Sequence, residues 1–526
     1  MNFANWYANR SDISELMDFL RTAIAKFSTS FKLLSLGYLS QFYSSVVSLA
    51  FTPFILATIG AEAYGLVGIF VIMQAWFQII DGGLTPALKR EAARFGAGEN
   101  SPKQFGSMVC GFQSMVLLLS IVVLAVTPLV APSLAEHWVN RETLSVAELS
   151  TVFELSALIL LLRWFSGIFR AILTGIEQHV KLYSINVLVS TLRYPCIVVY
   201  FYYVDASALN YFIYQLFVGA LELIALWWVS RRLVPGSSVH NPCRWISSLR
   251  PLVSFAATHG LMTSVWILAG QIDKLLMTRL LTLSEFGYVS LGLVAASSVS
   301  LISTPITQLI IPKLAKLKAQ NRDAELYATY SSFTRTNVLL LCGVTSVLVV
   351  YGREIMFVWT GDLQVADKTA DVLSYYTLGN AIMGLCAFSY YLQFAFGRLR
   401  MHTLGGLIFV VSLTPTVLFA IDNFGISGAA KAWAGLWLIY LLCWVSYTHS
   451  RFLNGKQWKW LFNDVLRMVL PVSCVMFFIN RFLELPENRF SLALTLCFLI
   501  ILMYCVAGIT SGKLRLQQIR NLVRRH

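Results

Sequence analysis

Gly270-Gln-Ile-Asp-Lys-Leu-Leu-Met-Thr-Arg-Leu-Leu-Thr-Leu-Ser-Glu-Phe-Gly287 closes an apolar run that begins after Pro251. It puts three ionised side chains, Asp273, Lys274 and Arg279, at or near the end of that run. Charge at membrane depth is costly unless it is paired or lines a wet cavity, so the stretch marks a candidate functional site. The chain beyond Gly287 repeats, in loose form, the pattern near the N-terminus. Together these features point to a transporter.

Working outward, 57% of the 526 residues are hydrophobic and 13% are charged. Soluble domains use about 45–50% apolar residues, so this is an integral membrane protein. Fourteen apolar stretches of the roughly 20 residues needed to cross a bilayer can be drawn. They run from 32–58 and 64–86, through 252–280 and 286–311, to 466–483 and 490–510. The N-terminal residues carry Asp12, Glu15 and Asp18 and lack the apolar core of a secretory signal. Ile13, Leu16, Met17, Leu20, Ile24 and Phe27 recur there at helical spacing, which suits either a helix lying on the inner surface or a solvated tail.

The +14 formal charge has a simple distribution. With the N-terminus inside, thirty of the 40 lysines and arginines fall on inner connections or tails. Five lie outside: Arg141, Arg353, Lys368, Arg481 and Arg489. Five more, Arg163, Arg193, Lys274, Arg279 and Lys431, lie within spans, whereas Arg170 is counted with the inner connection after the fourth span. Positive charge accumulates on cytoplasmic loops, so both termini are expected inside and no nucleic-acid partner is needed to explain the charge. The basic run from Lys513 to Arg525 reads as an anchor to anionic lipid. None of the nine cysteines falls on the outer side, so neither a disulfide framework nor a metal site is expected.

Connection lengths recur between spans one to six and spans seven to twelve. Ala61-Glu62-Ala63-Tyr64-Gly65 parallels Ser284-Glu285-Phe286-Gly287-Tyr288, and Pro86-Ala87-Leu88-Lys89-Arg90 parallels Pro312-Lys313-Leu314-Ala315-Lys316. Six spans per repeat imply two pseudo-symmetric lobes of the same orientation with the substrate site between them. The expected organisation is an inner-surface segment at 1–30, an N-lobe at 31–230 and a linker at 231–250. A C-lobe comes next at 251–448, then two extra helices and a basic tail at 449–526. The fold class is an all-α membrane protein with about fourteen transmembrane helices.

Polar residues form single-face stripes along several spans: Gln74, Gln78, Asp81 and Thr85; Ser156, Arg163, Ser166 and Arg170; Asn186, Ser190, Arg193 and Tyr200; His259, Thr263, Trp266, Gly270 and Asp273. In lipid such stripes turn toward water or toward other helices. Two readings stand for Arg163 and Arg193: they line a wet cavity, or they close into a buried ion pair with Glu222 of the sixth span. Lys274 and Arg279 either snorkel outward or face the cavity, and Lys431 is open in the same way. Asp273 either neutralises Lys274 or Arg279 or titrates with a proton; with Glu222 and Asp81 it forms the set of ion-coupling candidates. His259 is the one histidine placed within a span and is expected to be a satisfied core residue. There is no phosphate loop, no H-E-x-x-H and no nucleophile elbow, the outer loops are short, and no cofactor is implied.

Two passages resemble a known family. Ile59-Gly60-Ala61-Glu62-Ala63-Tyr64-Gly65-Leu66 with Asp81-Gly82-Gly83-Leu84, and Gln271-Ile272-Asp273-Lys274-Leu275-Leu276 with Phe286-Gly287-Tyr288 and Ile311-Pro312-Lys313-Leu314, are similar to the polysaccharide-exporter branch of the multidrug/oligosaccharidyl-lipid/polysaccharide superfamily. The resemblance spans residues 30 to 450. It implies alternating access in a bacterial cytoplasmic membrane and a polyprenyl-diphosphate-linked oligosaccharide as cargo. A polysaccharide polymerase or chain-length regulator would be a neighbour in the same membrane. Fourteen spans also resemble the lipid II flippases, whose last two helices form a lipid groove.

On that reading Arg163 and Arg193 hold the diphosphate, Lys274, Arg279 and Lys431 assist from the second lobe, and Gln78, Asp81, Asn186 and Trp266 line the cavity. Tyr38, Trp76, Tyr183 and Trp266 are candidates for stacking on sugar rings. The first span has no charge between Lys32 and Glu62, unlike the multidrug exporters, and the basic residues of lipid II flippases are not recognisable. An ion-coupled small-molecule exporter and a membrane glycosyltransferase remain the alternatives.

Overall fold

A computed structural model describes residues 36–233 and 242–511, without the side chains of 242–259 and 261. The expected segment at 1–30, the basic run after Lys513, most of the linker core and the side chain of His259 lie outside the described residues. In the described chain, thirteen helices are long and apolar enough to cross a membrane. The remaining expected span, 252–280, falls within a further helix, Pro242–Leu280, of 39 residues. At 1.5 Å per residue that helix is also long enough to cross.

In chain order the helices are α1 (Leu36–Ile59), α2 (Ala61–Asp81), α3 (Leu84–Gly96), α4 (Pro102–His137), α5 (Val146–Gly175), α6 (His179–Arg193), α7 (Pro195–Tyr203), α8 (Ala208–Arg231), α9 (Pro242–Leu280) and α10 (Leu283–Ala319). They continue as α11 (Asp323–Val350), α12 (Gly352–Thr360), α13 (Leu363–Ala395), α14 (Leu399–Phe424), α15 (Ile426–Tyr440), α16 (Ser446–Phe452), α17 (Gln457–Trp460), α18 (Arg467–Phe482) and α19 (Arg489–Thr510). Several spans run past their expected ends. His402 in α14 and His449 in α16 therefore lie within candidate spans, so His259 is not alone there.

Two helix breaks have their cause in the sequence. Gly82 and Gly83 adopt φ of 54° and 84°, a region open to glycine, and end α2 before α3 begins. Pro195, which has no N–H to donate, separates α6 from α7 in the middle of an expected span.

The chain forms two compact units that are not consecutive in sequence. Among the described residues the first comprises 36–51, 84–127, 154–233 and 242–256; the second comprises 52–83, 128–153 and 257–511. In the first, α1 meets α6 through Tyr43 and Thr191 (2.7 Å), Ser190 and Ser44 (2.8 Å), and Ser40 donating to the Tyr183 carbonyl (3.3 Å).

In the second unit α2 packs on α10 through glycines. A Cβ on Gly65 would strike the Leu283 carbonyl, one on Gly287 the Ala61 carbonyl, and one on Gly68 the Ser290 hydroxyl. Position 65 thus stands to 287 as 61 stands to 283 and 68 to 290, so the two repeated motifs pack against each other about a local twofold. The register differs by one from the sequence parallel: Ser284, not Glu285, corresponds to Glu62. Glu285 instead closes a capping box with Thr282 at the start of α10.

Small residues at such crossings let membrane helices approach closely. Gly287→Leu is therefore expected to destabilise the protein by about 1–3 kcal/mol through overpacking. Gly435→Ala, where an added Cβ meets nothing within 4 Å, should be neutral or mildly stabilising. Thermal denaturation of the purified protein checks both; a Gly287→Leu protein as stable as wild type would contradict the close crossing.

Candidate functional site

The first unit gathers most of its buried charge on three helices. Arg163, Ser166 and Arg170 share one face of α5 at helical spacing, Asn186 and Arg193 share one face of α6, and Gln215 and Glu222 share one face of α8. Glu222 is 5% exposed. Its Oε1 accepts from Arg170 Nη2 at 2.7 Å and Nε at 3.2 Å, and its Oε2 accepts from Arg193 Nη2 at 3.0 Å. A second amine of Arg170, Nη1, donates to the Asn186 side-chain oxygen. Arg163 lies in the field of both Arg193 and Glu222. One carboxylate thus faces three guanidiniums.

The same faces carry polar atoms that make no hydrogen bond. Arg193 Nε, Ser166 Oγ and Gln215 Nε2 are buried without a hydrogen-bond partner, and Ser166 and Gln215 are 1% and 3% exposed as residues. Leaving a buried donor unsatisfied costs about 1–3 kcal/mol, so such a set is ordinarily completed by a ligand or by water. Arg193 ends α6 immediately before the break at Pro195. There the Leu192 carbonyl, in a last turn that lacks intrahelical partners, accepts from the Tyr214 hydroxyl at 2.5 Å.

The second unit holds the other basic candidates, each in its own setting. Asp273 is fully buried and accepts from the Tyr376 hydroxyl at 2.6 Å and from Lys274 Nζ at 3.1 Å. Lys274 also donates to the Gly270 carbonyl (2.7 Å) and lies 5.0 Å from the Trp433 ring centre. Arg279 is exposed and lies 5.7 Å from the Trp138 ring centre. Lys431 sits between Phe424 and Tyr375, at 4.8 and 5.6 Å from their ring centres. Trp266 stacks on His402 at 4.5 Å, and His402 meets Tyr390 at 4.4 Å. Gln78 is exposed on α2, and Asp81 ends that helix with partial exposure.

Sequence reasoning misses the part played by Arg170. It lies within the 152–174 span and on its polar stripe but is counted with the inner basic residues, whereas its guanidinium reaches Glu222. The signal is present in the 163–166–170 stripe. Nothing local in the sequence announces the contact of His402 with Trp266 or of Tyr376 with Asp273, each spanning more than a hundred residues.

Removing Glu222 leaves Arg170 and Arg193 without their shared carboxylate. Breaking a buried ion pair from one side costs about 3–5 kcal/mol, so Glu222→Leu is expected to lower the thermal midpoint sharply. A midpoint indistinguishable from wild type would show that this pairing does not hold the unit together.

No curated protein matches the sequence. Among solved structures, the fold matches lipid II flippase MurJ in an inward closed conformation with a TM-score of 0.65 at 14% identity, covering 91% of this chain and 99% of that one. An inward-facing multidrug resistance MATE family transporter of the MOP superfamily matches with a TM-score of 0.64 at 12% identity, covering 81% and 98%. The MATE multidrug transporter DinF-BH matches at 0.58 and 14%, covering 81% and 95%. At these identities the likeness establishes the fold. A family model described as polysaccharide biosynthesis protein matches residues 55–363, more than half of the chain. The chain therefore belongs to that polysaccharide biosynthesis family and has the helical fold of the MOP-superfamily transporters.

Proposed function

We propose that the protein is a flippase that moves a polyprenyl-diphosphate-linked oligosaccharide, an O-antigen or exopolysaccharide repeat unit, across the bacterial cytoplasmic membrane, with both termini on the cytoplasmic side. The observation that carries the reading is the excess of guanidinium over carboxylate on α5, α6 and α8. Arg170 and Arg193 share the single Glu222 carboxylate with Arg163 in its field, and a diphosphate diester brings two negative charges. Such a head group cannot enter hydrocarbon unaided; arginines and unsatisfied donors replace its water.

Arg193 and Arg163 hold the phosphates. Glu222 keeps Arg170 and Arg193 in place and prevents the cluster from being a bare positive charge inside the membrane. Asn186, Ser166 and Gln215 supply neutral hydrogen bonds. The prenyl tail stays in apolar surroundings. Membership of a polysaccharide biosynthesis family supports a sugar-bearing cargo, and the fold shared with a lipid II flippase supports flipping. In the second unit, Asp273 and Lys274 neutralise each other, which favours a coupling or structural part over direct phosphate binding.

Arg163→Ala and Arg193→Ala are expected to abolish surface polysaccharide in a strain that depends on this gene, with export compared at matched amounts of folded protein. Near-normal export by both would remove the cluster from the mechanism. Drug resistance on overexpression with unchanged glycans would favour the small-molecule exporter instead.

A further inference from the structure

Five carboxylates are buried among the described residues: Glu62, Glu91, Glu222, Asp273 and Asp464. Four of them have a cation or several backbone N–H groups within hydrogen-bond distance. Glu62 accepts from the N–H of Glu142 (2.7 Å), Thr143 (3.0 Å) and Leu144 (3.3 Å), and Glu91 accepts from Arg94 (3.3 Å) and Asn100 (3.2 Å). Glu222 and Asp273 have the guanidiniums and the ammonium described above. Asp464 is held less firmly. It is 4% exposed, and its Oδ2 accepts from the Ser331 hydroxyl at 2.6 Å. The guanidinium of Arg335 stops at 3.5 Å, and its Nε makes no hydrogen bond.

Asp464 lies in a π-helical turn, Leu461–Leu466, between α17 and α18. Single turns of this kind recur at functional sites. Gln457, Trp460, Leu461 and Asp464 share one buried face, and that face meets α11: Trp460 Nε1 donates to the Thr334 hydroxyl at 3.0 Å, beside the bond from Ser331. The residue before Ser331 reaches a second titratable group, since the Tyr330 hydroxyl bonds His449 Nε2 at 2.7 Å. Gln457 faces His449, yet His449 Nδ1 and both amide atoms of Gln457 are buried without completing a hydrogen bond. Ordered water completes such a pocket, and water can carry a proton to a buried acid. The other groups facing Asp464 are Tyr327, Tyr330 and Arg335 on α11 and Lys459 on α17. His449 of α16 stands behind Tyr330, and Arg467, which opens α18, is exposed.

These surroundings suit a neutral acid. A carboxylate withdrawn from water needs an opposite charge and several donors, whereas Asp464 has one hydroxyl and a loose guanidinium whose side chain is 40% exposed. A protonated Asp464 needs less. Its O–H can donate to Ser331, because a hydroxyl accepts as readily as it donates, and Arg335 can then turn to water. We infer that Asp464 is a proton-binding site, and that the proton it takes up fastens the 457–466 segment, which leads into α18, onto α11. When the proton leaves, the buried charge gains by returning to water, and the segment loosens. Acid therefore strengthens this docking and alkali weakens it, because the docked form binds the proton more tightly than the open one. The site lies wholly in the second unit and stands whether or not the arginines of the first unit bind phosphate.

Hydrogen exchange of the purified full-length protein in lipid nanodiscs tests the site, from mildly acidic to mildly alkaline buffer and corrected for the intrinsic pH dependence of amide exchange. In wild type the amides of residues 457–466 are expected to exchange at least about tenfold faster at the alkaline end than at the acidic end. Asp464→Asn keeps the shape and an acceptor for Ser331 without the charge, so its exchange should stay at the slow, acidic level throughout. Wild-type exchange that ignores pH, or an Asp464→Asn protein that follows pH as wild type does, would overturn the site. Arg335→Gln checks the same claim with Asp464 in place. Removing the guanidinium that favours the charged form should move the transition to higher pH; a transition that stays where it is or moves lower would overturn the site as well.

Discussion

A carboxylate shared by two arginines inside membrane-spanning helices is the constraint on which the candidate site depends. Glu222 is reached by Arg170 at 2.7 Å and by Arg193 at 3.0 Å, and all three residues sit on helices of membrane-spanning length. Without Glu222 the arginines would repel each other in a medium that screens poorly. With it, Arg170 and Arg193 are held together, and Arg163 lies in the field of both Glu222 and Arg193.

The second unit treats its charges differently. Asp273 and Lys274 neutralise each other beside Tyr376, and Lys431 is enclosed by rings. Its repeated motifs meet at glycines, so α2 and α10 approach until backbone touches backbone. That contact brings Glu62 and Ser284 to the same loop. The features that mark the internal repeat therefore also build the junction at one end of the helices.

Much of this is legible in the sequence because lipid imposes strict patterns. Span number, helical class and the repeat can be read from apolar length and loop spacing, since every backbone polar group in hydrocarbon must be satisfied within a helix. The single-face stripes single out Arg163, Asn186 and Arg193, with Glu222 as their one carboxylate, and the structure brings them together. Arg170 lies on the stripe of the 152–174 span but near its inner end, so it is counted with the inner charges and its contact with Glu222 is missed. The register of the repeat is off by one: glutamates look alike in sequence, but the close crossing makes Gly65 the counterpart of Gly287. The stack of Trp266 on His402 and the pairing of Asp273 with Tyr376 join residues far apart in the chain, and no local pattern encodes such contacts.

Transport as described here turns on whether the arginine cluster receives the phosphates of the cargo. An experimental structure of the full-length protein in lipid nanodiscs with a short-chain prenyl-diphosphate sugar tests this directly. The diphosphate is expected within hydrogen-bond reach of Arg163 and Arg193, with Glu222 still holding Arg170. A diphosphate bound away from α5, α6 and α8, with the cluster unchanged from the ligand-free protein, would contradict that assignment.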